Sequence, residues 1–364
     1  MTILGIESSC DETSVGIVRN GTTILANTVA TSLDLHTAYG GVVPEIAARS
    51  HIEFMMPVIE EALTQAFGDN PDPWAQIDAI AVAHGPGLKG SLLIGVMTAR
   101  TLAITKQKPL YAVHHVEAHA YANFLTGTAT PDNTLDGKTY TFPAQTPQFP
   151  TLALLVSGKH SQIVLFRDHF NYTLLGQTGD DAVGEAFDKV AKLLGLPYPG
   201  GPSVAKAADQ GDPKKYKLPK ARLANKYDYS FSGVKTAVLR LAQELVGEDF
   251  TFPSYKLAER LSEAQKNDIA ASFRHTAIET LVDKVVATYE EYQPKSVIIG
   301  GGVAADRELR KQLAERLPIT INYPDLKLCT DNGAMVATLG FYNAQAGQEP
   351  ANPYSLEADP SLKM

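Results

Sequence analysis

Two histidines, His115 and His119 in His115-Val116-Glu117-Ala118-His119, have the spacing best suited to chemistry in this chain. On a helix, positions i and i+4 share a face, so both imidazoles can reach one metal ion. The run follows the apolar stretch Leu110 to Val113, which reads as a strand, and leads into an Ala-rich, helix-favouring segment. A zinc-peptidase helix spaces two histidines in the same way, but its general base directly follows the first, about 100° round the helix. Here that place is held by Val116, and Glu117 falls about 200° from His115, turned away from any shared ion. A third ligand must come from elsewhere. Asp331, in Cys329-Thr330-Asp331-Asn332-Gly333 at the start of the last helical stretch, offers a carboxylate, with helix capping as its alternative role. Two histidines and a carboxylate leave coordination positions open for substrate and suit Fe(II) or Zn(II).

Other segments have the composition of anion-binding turns. Gly85-Pro86-Gly87-Leu88-Lys89-Gly90 satisfies GxGxxG between a strand and a helix. A dinucleotide site also needs an acid roughly 20 residues on, at the end of the next strand. The chain there reads Leu110-Tyr111-Ala112-Val113-His114, so the glycines predict a tight turn into a helix, with amides facing an anion. Two hydroxyl-rich hairpin tips, Glu7 to Ser14 and Ser157 to Ser161, join Gly300-Gly301-Gly302 after a strand. Together they predict a phosphoryl or adenylate ligand held between two lobes. No P-loop GxxxxGK[ST] is present. Lys206, Lys214, Lys215, Lys217, Lys220, Arg222 and Lys226 crowd one segment with Tyr216 and Tyr227. Such a run is by default a solvated face; its functional reading is a strip for RNA phosphates.

The elements that must position these residues alternate between strand and helix patterns. Ile3 to Ile6 and Val15 to Val18 form one hairpin, and Leu152 to Val156 with Gln162 to Phe166 repeat it, which predicts an internal duplication. Helical spacing covers Ala47 to Phe67, Ser91 to Thr105, Asp188 to Leu194, Leu257 to Tyr289 and Asp331 to Tyr342; Ile77 to Ala83 and Lys295 to Ile299 read as strands. The alternation predicts an α/β fold with a largely parallel sheet. Residues 1–125 are expected to form one lobe, with 331–364 packing back on it, and 151–330 a second lobe with a helical insertion. The Thr, Pro, Asp and Gly of 126–150 read as an exposed connecting loop, and the tail after Gly347 as loose.

The 364 residues hold 44% hydrophobic and 20% charged residues, the composition of an ordinary globular protein of about two domains. A net charge of -8 argues against holding nucleic acid by whole-molecule charge. Cys10 and Cys329 lack disulfide-framework or zinc spacing, and no signal peptide or membrane-length apolar run appears, so a cytoplasmic protein with no membrane partner is expected.

Taken in order, Gly5 to Ser14, Tyr39 to Glu45, Gly85 to Leu88, His115 to His119, Gly184 to Lys189, Tyr198 to Pro202, Phe231-Ser232-Gly233 and Cys329 to Ala334 resemble the tRNA adenosine threonylcarbamoyltransferase family from about Ile3 to about Leu339. The resemblance implies a two-lobed actin/sugar kinase/Hsp70-like ATPase fold with duplicated domains. It implies transfer of a threonylcarbamoyl group from threonylcarbamoyl-AMP to the exocyclic amine of the adenosine 3′ of the anticodon, in tRNAs reading codons that begin with A. It further implies that His115, His119 and Asp331 hold one metal, usually iron, with zinc as the alternative. Leu155, Val156, Ser157, Gly158, Lys159, Asp188, Gly201 and Asp306 would bind the adenylate, with ATP a further candidate ligand. The implied partners are tRNA, a paralogous ATPase-fold protein and a small P-loop ATPase. Lys159 stands where the family usually has Gly, and Asp306 where it has Asn. Against the transferase stand a metallopeptidase, disfavoured by Val116, and a non-catalytic scaffold, disfavoured by retention of both histidines and Asp331.

Overall fold

A computed structural model describes residues 1–143 and 145–364. Two compact units divide it, residues 1–147 with 322–364 and residues 148–321. The first unit contains β1 (Thr2–Glu7), β2 (Glu12–Arg19), β3 (Thr23–Thr31), α1 (Leu33–Thr37), α2 (Pro44–Phe67), β4 (Ala79–Gly85), α3 (Lys89–Lys106), β5 (Leu110–His114), α4 (His115–Tyr121) and β6 (Gly127–Thr128). The expected connecting loop, of which residue 144 lies outside the described residues, carries a small hairpin, β7 (Thr134–Leu135) with β8 (Lys138–Thr139). The second unit contains β9 (Thr151–Val156), β10 (Ser161–Asp168), β11 (Asn171–Gln177), α5 (Val183–Leu194), α6 (Gly200–Ala208), α7 (Ser232–Leu245), α8 (Leu257–Arg260), α9 (Glu263–Tyr292), β12 (Ser296–Gly300) and α10 (Arg307–Arg316). After β13 (Ile321–Asn322) the chain returns to the first unit as α11 (Gly333–Gln345).

The first sheet runs β5-β4-β1-β2-β3-β6 and the second β11-β10-β9-β12-β13. In both, a three-stranded antiparallel meander is followed by a strand parallel to its first member, β4 beside β1 and β12 beside β9. The duplication seen in the hairpins thus extends to strand order. Each sheet is mixed rather than largely parallel, because adjacent strands joined by a few residues can only pair antiparallel. Asn20 and Gly21 both have positive φ, 52° and 69°, at the β2–β3 turn. This Asn-Gly hairpin signal marks the third strand, which periodicity had not picked out.

Successive β1 residues face opposite sides of the sheet. Leu4 and Ile6, with Val15 and Ile17 of β2, pack in one buried core with Met55, Val58, Ile59 and Ala62 of α2 and Val96, Ala99 and Leu102 of α3. On the opposite face the sheet carries glycine, and α11 lies directly on it. A Cβ on Gly5 would come within 2.9 Å of Ala337 Cα, and one on Gly333 within 2.7 Å of Val15 Cα. This close approach requires glycine and sets where the start of α11 sits.

Two expectations are corrected. The helical pattern over Leu257 to Tyr289 is two helices, α8 and α9. Ser262 caps α9, its Oγ accepting from the Gln265 amide at 3.2 Å while its own amide donates to Gln265 Oε1 at 2.9 Å. The tail after Gly347 is not loose: the Arg100 guanidinium donates to the carbonyl oxygens of Pro353, Tyr354 and Leu356 at 2.6, 2.7 and 3.2 Å, and the Asp359 amide donates to His84 O at 2.7 Å. Backbone carbonyls satisfied by one half-buried arginine leave no apolar signature in the tail sequence. No helix among the described residues is long and apolar enough to cross a membrane.

Candidate metal centre

α4 is a seven-residue helix with every residue buried, held between β5 and α11. Its N-cap is His114, whose Nδ1 accepts from the amides of Val116 and Glu117 at 3.2 and 3.3 Å. Accepting two amides requires an unprotonated ring nitrogen, and burial, followed by the neighbouring His115, lowers the His114 pKa to about 4. The cap starts the helix at His115 and so puts His115 and His119 one turn apart on one face.

The third residue arrives from α11. Its N-cap is Asn332, whose Oδ1 accepts from the Met335 amide at 3.0 Å. The capping role considered for Asp331 is therefore taken by its neighbour, and Asp331 turns to the histidines: its Oδ1 lies 3.2 Å from His119 Nε2 and 3.6 Å from His115 Nε2. One ligand atom from each of the three residues lies within 4.8 Å of the others.

His115 is oriented by a residue that spacing did not single out. Its Nδ1 donates to Glu7 Oε2 at 2.9 Å, which leaves Nε2 for the triad. Glu7 is fully buried at the end of β1, and its Oε1 accepts from the Ser9 amide at 2.6 Å. The signal in the sequence was positional: strand ends carry site residues in α/β sheets. The β1–β2 tip is braced by His51, whose Nε2 donates to Cys10 O at 3.0 Å while Nδ1 accepts from Thr13 Oγ1 at 2.7 Å. Burial holds the Glu12 carboxyl well above the ordinary range, followed by the charges of Asp331 and Asp11. Glu117 stands apart from the triad, as its angular position predicted, and burial raises its pKa to about 7.

These residues fit a divalent cation. His119 is 3% exposed, yet neither ring nitrogen makes a hydrogen bond, and the Asp331 oxygen beside Nε2 is not aligned as an acceptor. A buried imidazole left so is costly unless something coordinates it. The Glu7 carboxylate behind His115 and the Asp331 carboxylate beside His119 supply charge that a cation would balance. Glu7→Gln keeps the shape but loses the charge behind His115, and is expected to weaken metal binding by about 10- to 100-fold. A competition titration against a chelator measures this; unchanged affinity would show that Glu7 does not tune the site.

The second unit holds the other predicted residues. Ser157 and Gly158 form a tight turn: the Ser157 amide donates to His160 O at 2.8 Å, and Ser157 Oγ accepts from the amides of Lys159 and His160 at 3.3 and 3.2 Å. The start of α5 rests on this turn, where a Cβ on Gly184 would come within 2.7 Å of Gly158 Cα. Asp188 Oδ1 accepts from the Gly200 amide at 2.7 Å, which brings it beside Gly201, over which a Cβ would meet nothing within 4 Å. Leu155 and Val156 are buried strand residues of β9. Asp306 caps α10, accepting from the Glu308 and Leu309 amides at 2.8 and 3.2 Å, and its two oxygens each lie 3.0 Å from Arg274 nitrogens. The charge that replaces the expected amide is thus balanced by Arg274, a pairing no local spacing announces. In the Gly85–Gly90 turn the Gly87 amide donates to Pro360 O at 3.3 Å and the Leu88 amide to Ser9 O at 2.8 Å, so these two amides are taken up within the chain.

The family model for tRNA N6-adenosine threonylcarbamoyltransferase, TsaD, matches residues 23–338. The chain is 46% identical to the protein of that name from Thermomicrobium roseum over 354 residues, covering 95% of this chain and 93% of the relative. It is 41% identical to the one from Geobacillus kaustophilus over 367 residues, covering 100% and 96%. Among solved structures, full-length HypF in the phosphate- and nucleotide-bound form matches with a TM-score of 0.54 at 14% identity, over 95% of this chain and 46% of that one. HypF from T. kodakarensis matches at 0.51 and 16%, over 95% and 48%. These two speak to the fold alone, and with the repeated strand order they place it among the actin/sugar kinase/Hsp70-like ATPase folds with duplicated domains. By sequence, the chain belongs to the tRNA N6-adenosine threonylcarbamoyltransferase family.

Proposed function

We propose that this chain transfers the threonylcarbamoyl group of threonylcarbamoyl-AMP to N6 of the adenosine 3′ of the anticodon, in tRNAs reading codons that begin with A. The observation that carries this reading is the group of buried His115 and His119 with half-buried Asp331 in a chain of this family. In the reaction a bond forms between N6 and the carbamoyl carbon while the bond from that carbon to the phosphate oxygen breaks. AMP leaves with the electron pair, and N6 gives up one proton. The mixed anhydride is already activated, so the protein's task is to orient it against a weak amine and stabilise the developing oxyanion.

His115, His119 and Asp331 would hold one Fe2+, or Zn2+, whose Lewis acidity when bound suits a carbonyl or the threonyl part of the donor. Glu7 fixes the His115 ring for that purpose. In the second unit the Ser157-Gly158-Lys159 turn would take phosphoryl oxygens, with the Lys159 ammonium adding charge where the family usually has glycine. Asp188 beside the open Gly201 would take ligand hydroxyls. Leu155 and Val156 would contribute backbone only, and Asp306 would act through its pair with Arg274. The same residues would accept ATP.

Cooperation with a paralogous ATPase-fold protein and a small P-loop ATPase in the cytoplasm completes the reading. Exposed Ile52 and Met56 on α2, 63% and 51% accessible, and Leu93 and Met97 on α3, 49% and 45%, support an apolar docking face on these packed helices. The test is mass spectrometry of nucleosides from unmodified tRNA incubated with threonylcarbamoyl-AMP, this protein and its partners. Threonylcarbamoyladenosine is the expected product. Its absence, with partners shown competent alongside another transferase, would contradict the reading.

A further inference from the structure

The basic run at residues 206–226 crosses from α6 toward α7 and lies lengthwise along α9. The Asp212 amide donates to Asp268 Oδ1 at 2.9 Å, the Tyr216 amide to Ser272 Oγ at 3.2 Å, and Lys284 Nζ to Lys226 O at 2.6 Å. Lys220 Nζ sits 2.6 Å from Glu279 and 2.7 Å from Asp283, and Lys226 pairs with Glu291. Each step along the run therefore meets a later position of α9, and the segment is pinned along most of that helix.

The pinning sorts the seven cations into two groups. Lys220 and Lys226 are anchors, neutralised by α9 carboxylates. Lys206, Lys214, Lys215, Lys217 and Arg222 are exposed, and none has a carboxylate within 4.0 Å among the described residues. Five unpaired cations on one fixed segment of a chain with net charge -8 repel one another until a partner brings negative charge. Protein interfaces deplete lysine and rely on aromatic and apolar anchors. Here lysine dominates, Tyr216 is half-buried, and Leu223 is the sole large apolar residue of 206–226 counted as exposed. A phosphate backbone, which lysines meet as flexible point charges, fits this composition.

We propose that residues 206–222 form a phosphate-contact strip for the tRNA substrate, with Lys214, Lys215, Lys217 and Arg222 as its contacts and α9 as its rigid support. The proposal rests on the tRNA-modifying reading above.

The experiment uses the full chain with its partners and measures the Kd for unmodified tRNA between about 50 and 200 mM salt, for the natural protein and for Lys214→Gln/Lys215→Gln/Lys217→Gln. At the lowest salt the triple variant is expected to bind at least roughly tenfold more weakly, and its slope of log affinity against log salt to be shallower by about 2 to 3. Arg222→Gln alone is expected to shift the slope by about 1. These side chains are exposed and form no ion pair among the described residues, and circular dichroism checks the fold. Unchanged tRNA affinity and slope in the triple variant, with the natural protein binding tRNA normally, would overturn the strip and leave the function standing. Unchanged tRNA binding with loss of a protein partner would assign the strip to that protein and likewise overturn it. A natural protein that binds no tRNA would instead count against the function itself.

Discussion

His115→Ala/His119→Ala is expected to lose its bound metal to background and to transfer at least on the order of a thousandfold more slowly. Removing both imidazoles leaves one carboxylate of the triad, which cannot hold a divalent ion against water. The lost electrostatic stabilisation amounts to several kcal/mol of barrier, and about 1.4 kcal/mol corresponds to a factor of ten. The helix itself should persist, since alanine is the strongest helix former and the His114 cap is untouched. Metal analysis by inductively coupled plasma mass spectrometry and nucleoside mass spectrometry on the same preparation measure both quantities. A scaffold would keep whatever structural role it has, and transfer at the natural rate by the variant would remove the histidines from the chemistry.

Gly16→Val should cost more than about 3 kcal/mol, the upper end of ordinary overpacking, because no side chain can move aside. A Cβ there would lie within 2.5 Å of Ala334 Cα and closer still to the Ala334 amide, so β2 and α11 must part. Asp331 sits just before α11, and the separation that accommodates valine should also carry its carboxylate away from His115 and His119. Urea unfolding should show a lower midpoint, and metal affinity should fall with it. Gly41→Ala, where a Cβ meets nothing within 4 Å, serves as the control and should leave both unchanged. A Gly16→Val protein with natural stability would mean that the contact between β2 and α11 is not what positions Asp331.

How much of this was legible in the sequence follows from how local each signal is. The two hairpins, α3, α4 and the strand before it are written in periodicity over a few residues, and the structure reproduces their bounds to within about three residues. Asp331 could be picked as a ligand by type, but its freedom from the capping role depends on Asn332 taking it, a choice between neighbours that spacing does not make. β3 has its signal in the Asn20-Gly21 turn and not in the apolar pattern, so periodicity alone does not reveal it. The break at Ser262 hid inside a continuous helical period. Glu7, Arg274 and the Arg100 clamp on the tail were out of reach for a different reason: each acts on residues about 30 to more than 250 positions away, so only the folded chain brings them together.

The most direct test of the account is to reconstitute the natural protein and Asp331→Ala anaerobically with Fe2+, and separately with Zn2+, and to measure metal stoichiometry and threonylcarbamoyladenosine formation in the same samples. Near-stoichiometric metal and transfer are expected in the natural protein, with a joint fall of both in Asp331→Ala. Unchanged metal content in the variant, or transfer that survives loss of the metal, would contradict the triad.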